Sequence, residues 1–107
     1  MVTTKYVKSR NVCKVKFECP QEELPQDLAI DTIAVAGEFN DWDPAATPMK
    51  YSQKKKSWSA TVELEPAIAY QYRYVINGEH WENDWHADEY IPNGVNGDNC
   101  VVRTMNG

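Results

Sequence analysis

The chain has 107 residues, 42% of them hydrophobic and 25% charged, and a formal net charge of −5. This is the size and make-up of one soluble domain, with one core and little room for a deep catalytic cleft, which argues against a large multi-step enzyme. No run approaches the roughly 20 apolar residues of a membrane span, and the basic start up to Arg10 has no apolar stretch behind it, so a cytoplasmic protein with no signal peptide and no membrane partner is expected.

The first five charges, Lys5, Lys8, Arg10, Lys14 and Lys16, are all positive, leaving six basic against sixteen acidic residues in the rest. Such a body repels phosphate backbones, so nucleic acid is not an expected partner. Residues 1–11 read as a basic, flexible N-terminal arm ahead of a single domain at 12–104. From 12 to 19, Cys13, Val15, Phe17 and Cys19 alternate with Lys14, Lys16 and Glu18, the pattern of a half-buried strand. Cys13 and Cys19 then lie about 20 Å apart, too far to bridge, and with Cys100 they read as reduced, small apolar side chains.

A polar loop from Gln21 to Asp27 leads to a strand running from Asp31 into Gly37, carrying Ile33 and Val35. Trp58, Ala60, Val62 and Leu64 alternate with polar residues over the clearest strand, closed by Pro66. Tyr70, Tyr72, Tyr74 and Ile76 oppose Gln71, Arg73, Val75 and Asn77, and Asn77-Gly78 is the strongest short hairpin signal, so 79–81 is the returning strand. Residues 100–104 supply the last strand. The pieces 40–48, 53–56 and 83–99 are rich in turn formers, and no window shows a helical stripe. Six to eight short strands of this kind predict an all-β, immunoglobulin-like antiparallel sandwich.

Trp42 sits among turn formers in Asn40-Asp41-Trp42-Asp43-Pro44, and Trp81 follows the hairpin among polar neighbours. A flat indole stacks on the C–H face of a pyranose while nearby amides and charges bind its hydroxyls; equally, each ring can lid one end of the sandwich. Trp58 and the tyrosines from 70 to 74 lie on apolar parities and are expected in the core. Arg73 lies on the opposite parity, as a hydroxyl donor or as part of a solvated face. His80, Glu82, Asp84 and His86 would share a side if extended, an assortment that zinc accepts, but the spacing matches no metal motif and no metal or cofactor is expected. Glu82, Asp84, Asp88 and Glu89 offer carboxylates for a glycosidase, with nothing to mark one as a buried acid.

Gly37-Glu38-Phe39-Asn40-Asp41-Trp42, then Pro48-Met49, the stretch from Tyr70 to Trp81, Asn83-Asp84, and the run from Gly97 to Val102 together resemble the family-48 carbohydrate-binding modules. This is the isoamylase and glycogen-branching-enzyme N-terminal "early set" domain, also found as the glycogen-binding domain of the AMP-activated protein kinase beta subunit. The resemblance spans about 12–104 and is nearest to small bacterial proteins made of this domain alone. It implies a non-catalytic β-sandwich that binds α-1,4-linked glucans such as glycogen, starch or maltodextrin. By motif, the two sugar-cradling tryptophans fall on Trp42 and Trp81, the basic residue before the hairpin on Arg73, the asparagine before the last strand on Asn99, and the apolar residue of the preceding loop on Val95. Gly97 stands where some members have threonine, and Val95 is shorter than the usual leucine or phenylalanine; each change weakens binding, by about 1 kcal/mol for a lost neutral hydrogen bond. The alternative is a protein-interaction module of the same fold that docks to a glucan-metabolising enzyme or kinase.

Overall fold

The computed structural model describes residues 2–84, 87, 89–94 and 97–104. The strands are β1 (Val2–Val7), β2 (Val12–Pro20), β3 (Ile33–Gly37), β4 (Lys50–Ser52), β5 (Ser57–Leu64), β6 (Ala69–Ile76), β7 (His80–Glu82), β8 (Glu89–Pro92) and β9 (Asp98–Arg103). Two short 3₁₀ turns, Gln21–Glu23 and Glu38–Asn40, complete the regular structure, and there is no α-helix among the described residues. None of these elements is a helix long and apolar enough to cross a membrane.

All pairing is antiparallel. One sheet has the order β1-β2-β5-β4 and the other β3-β6-β9-β8, with β7 also paired to β6. The chain is therefore an immunoglobulin-like β-sandwich. Its core lies where the alternation places it: Cys13, Val15, Phe17 and Cys19 of β2 face Ile33 and Val35 of β3, Tyr72, Tyr74 and Ile76 of β6, and Cys100 and Val102 of β9. Aromatic rings tie the layers together. Phe17 packs against Phe39 at 5.6 Å and Tyr72 at 5.0 Å, Tyr72 meets Tyr74 at 5.8 Å, and Phe39 meets Tyr70 at 6.2 Å. Each such pair contributes about 0.5–1.5 kcal/mol beyond the area it buries.

Three strands depart from the expectation. Val2–Val7, read as a flexible arm, is β1, paired along its whole length with β2, so that Val2 stands opposite Phe17 and Lys5 opposite Lys14. Its sequence hides this because two lysines directly opposite one another are unfavourable and only the partner's backbone groups offset the repulsion. β4 is three residues long and exists through its register with Ser57–Ser59. β8 lies inside the turn-rich 83–99 stretch; its Pro92 is tolerated because β8 is an edge strand. Trp58, expected in the core, is half-buried, with its ring 5.3 Å from that of Tyr51.

The Asn77-Gly78 hairpin forms as expected, with φ of 54° and 74°, the paired positive values of a type I′ turn. Asn77 does more than turn the chain. Its side chain accepts from the backbone N–H groups of Asp31 (2.7 Å) and Thr32 (3.2 Å) and donates to the carbonyl of Ala29 (2.8 Å), which pins the long 21–32 loop to the hairpin.

Candidate functional site

The two faces of the β3-β6-β9-β8 sheet are both closed. Ile33, Val35, Tyr72 and Tyr74 form the inner face, yet Ala34, Ala36, Val75 and Val101, of the opposite parity, are also buried and lie outside the core cluster. Small residues buried on an outer face require larger neighbours closing over them. The register identifies several. Ala34 pairs with Val75 and Ala36 with Arg73, Val75 also stands opposite Trp81, Gln71 is opposite Val101, and Asn99 is opposite Ile91. Directly opposed residues share a face, so Gln71, Arg73, Trp81, Asn99 and Ile91 project from one side of the sheet.

Polar contacts fix these side chains. Arg73 is 8% exposed; its Nε donates to Asn83 Oδ1 at 3.0 Å and its Nη2 to the carbonyl of Trp81 at 3.2 Å. The guanidinium thus holds the short β7 strand that carries Trp81, and does so with the fork geometry only arginine supplies. Asn99, also 8% exposed, donates from Nδ2 to Gln71 Oε1 at 3.0 Å and accepts from Asn93 Nδ2 at 3.1 Å. Gln71 and Asn93 were not singled out as site residues, and Asn83 entered only through the Asn83-Asp84 motif. Gln71 had the parity of Arg73 as a signal, whereas Asn93 sits in a turn-rich stretch with none.

Trp42 arrives by a different route, on the loop that leaves β3. Each residue of Gly37–Trp42 has a physical reason. A Cβ on Gly37 would stand 2.7 Å from the carbonyl oxygen of Gln71 and 2.8 Å from the Phe39 ring. Only glycine admits that approach. Glu38 accepts from the Gln71 N–H at 2.6 Å, and Phe39 anchors the turn on Phe17. Asn40 is the tie: Oδ1 accepts from the N–H of Gly37 (3.0 Å), and Nδ2 donates to the carbonyl of Val35 (2.9 Å) and to Thr47 Oγ1 (3.0 Å). Asp41 and Trp42 then adopt left-handed backbone at φ 56° and 59°. This is ordinary for aspartate but strained for a bulky ring, at a cost on the order of 1–3 kcal/mol, and such strain clusters at ligand-contacting segments. The Trp42 N–H donates to the Gly37 carbonyl at 2.9 Å, which holds the half-buried residue at the end of β3, beside β6.

Of the five residues singled out as a binding set, Arg73, Trp81 and Asn99 come together on one sheet face, Trp42 lies on the adjoining loop, and Val95 falls outside the described residues. Of the other candidates, Asp84 is 3% exposed and its Oδ2 accepts from the hydroxyls of Tyr72 (3.1 Å) and Tyr74 (3.0 Å). Its backbone N–H donates to Cys100 Sγ at 3.1 Å, and its carbonyl accepts from the Tyr90 hydroxyl at 2.5 Å. It is an internal fastener for the chain after Trp81. Glu89 is paired with Arg103, and no group of three metal-ligating side chains occurs among the described residues; His86 and Asp88 lie outside them. Burial pushes the thiols up, Cys19 to about 12 and Cys100 to about 11, so neither is poised as a nucleophile at neutral pH.

The described geometry is thus a β-sandwich with a tryptophan and fixed amides on one outer sheet face. The family description "Carbohydrate-binding module 48 (Isoamylase N-terminal domain)" matches residues 30–91, more than half of the chain, and the chain belongs to that family. Carbohydrate binding is accordingly its general activity. No curated protein matches the chain.

Proposed function

We propose that the outer face of the β3-β6-β9-β8 sheet binds α-1,4-linked glucans of the glycogen, starch or maltodextrin type, reversibly and without catalysis. The observation that carries this reading is the convergence of Trp81, Arg73 and Asn99 on one face by strand register, in a chain of a carbohydrate-binding family. Trp81 supplies an apolar surface for the C–H face of a glucose ring, and Trp42, held in strained backbone, extends the platform to a further ring. Asn99, set by Gln71 and Asn93, and Arg73, which steadies the Trp81 strand, serve the hydroxyls. Preorganisation matters because a shallow platform gains little per ring, and side chains already fixed lose little entropy on binding. An affinity of about −4 to −8 kcal/mol, millimolar to micromolar, is expected, raised by multivalent display on a branched polymer.

The test is a titration with maltoheptaose and β-cyclodextrin followed by tryptophan fluorescence and amide NMR shifts, with Trp42→Ala and Trp81→Ala alongside. The expected result is saturable change centred on both tryptophans, and loss of retention on glycogen in each variant with the sandwich still folded. Retention unchanged in both variants overturns the assignment of the site.

A further inference from the structure

The 21–32 loop and the edge of the other sheet enclose a cleft of about 350 Å³ that the site above does not use. Tyr51 and Trp58 form its aromatic wall. They are directly opposed across β4 and β5, with ring centroids 5.3 Å apart and planes inclined at 54°, and Tyr51 is one of the few large apolar residues left 39% exposed. Leu24, Leu28 and Ile30 add to its apolar lining, and Gln21 and Gln26 are its polar members. Among the described residues no charged side chain lines the cleft, in a chain where a quarter of the residues are charged.

The wall is built rather than loose. The N–H of Gln21 donates to the carbonyl of Lys56 at 3.0 Å, Gln26 Nε2 donates to the carbonyls of Leu24 (2.7 Å) and Gln21 (3.2 Å), and Asn77 fastens the far end of the loop. Tyr51 donates its hydroxyl to Gln21 Oε1 at 2.6 Å, which sets both groups at the rim. These bonds leave Gln21 Nε2 and Gln26 Oε1, a donor and an acceptor, without a protein partner among the described residues.

We infer that this cleft is a second carbohydrate subsite, taking a short neutral segment of the same glucan. An aromatic wall matches the apolar face of a sugar ring, amides match its vicinal hydroxyls in both senses, and the absence of charge disfavours ionic ligands. The volume, at the small end for ligand pockets, suits roughly one or two rings. The inference rests on the glucan reading of the chain. Two subsites on different sheets let one module engage two strands of a branched polymer, so each raises the effective concentration at the other.

The experiment is an amide NMR titration with maltotriose, and retention on immobilised glycogen, for the unaltered chain and for Trp81→Ala, Tyr51→Ala and Gln21→Ala. Tyr51 is exposed on an edge strand, so Tyr51→Ala leaves the core intact, and Gln21→Ala tests the rim independently. Two sets of saturable shifts are expected, one near Trp81 and one at Ser52, Trp58 and Ile30. The second set persists in Trp81→Ala and vanishes in Tyr51→Ala, with retention falling about tenfold as avidity is lost. Shifts confined to the Trp81 face overturn the second subsite and leave the first standing, whereas cleft shifts alone support the second and refute the first. Cleft shifts produced by an extended apolar peptide and not by maltotriose assign the cleft to a protein partner and overturn the inference.

Discussion

Asn40 is the residue on which the Trp42 loop hangs, and its replacement tests whether that loop is held by side-chain hydrogen bonds or by packing alone. Asn40→Ala removes three bonds of 2.9–3.0 Å: those to the Gly37 N–H, the Val35 carbonyl and Thr47 Oγ1. At about 0.5–1.5 kcal/mol net for each, the loss is about 2–3 kcal/mol, a fall in thermal midpoint of roughly 10 °C for a domain of this size. Asn40→Asp separates the contributions. The new carboxylate still accepts from Gly37, and the Thr47 hydroxyl can rotate to donate, but the Val35 carbonyl then faces an oxygen where it had a donor. The expected loss is therefore close to that of Asn40→Ala at neutral pH, and it shrinks as pH falls and protonation restores a donor. Thermal and urea unfolding read stability, and maltoheptaose titration reads the platform, which should weaken in both variants. The reasoning is refuted if Asn40→Ala unfolds within about 0.5 kcal/mol of the parent, or if Asn40→Asp matches the parent at neutral pH.

Gly37→Ala should cost about 1–3 kcal/mol through overpacking, because the added methyl meets a backbone carbonyl at 2.7 Å. Backbone strain plays no part, since φ −166° and ψ −177° suit any residue, and an unchanged urea midpoint would count against the close approach. Arg73→Lys keeps the charge but loses the fork that bonds Asn83 and the Trp81 carbonyl; glucan affinity should drop about tenfold, roughly 1.4 kcal/mol, as measured by calorimetric titration. Stability should decline in alkali. The Cys19 and Cys100 thiols, pushed by burial from 9.0 to about 12 and about 11, ionise more readily once unfolded, so their contribution is complete below pH 9 and lost as pH rises through the folded values. The slope, about 1.4 kcal/mol per pH unit for each thiol, is checked by unfolding between pH 8 and 11, and a flat profile refutes it.

Much of the fold was legible because burial on one side leaves a period of two in the sequence. β2, β5 and β6 carry it, and Asn77-Gly78 marks the hairpin through the positive φ values that its turn demands. β1, β4 and β8 left no such trace, since edge strands are defined by a partner's backbone and not by their own apolar face. The motif from Gly37 to Trp42 was recognisable as a string, but its reasons are spatial: the glycine answers to Gln71, 34 residues away in sequence, and the asparagine to Val35 and Thr47.

The sequence by itself determined the class of fold, the parity that puts Arg73 opposite the core, and the family. It did not determine which residues meet. That Arg73 bonds the Trp81 carbonyl, that Asn99 is set by Gln71 and Asn93, and that Asp84 is an acceptor for two tyrosines all follow from strand register and loop closure. Register is a property of pairs of strands far apart in the chain. A one-residue slip in any pair would turn every side chain of that strand to the other face, so the composition of the outer sheet face is decided only when the sheets assemble.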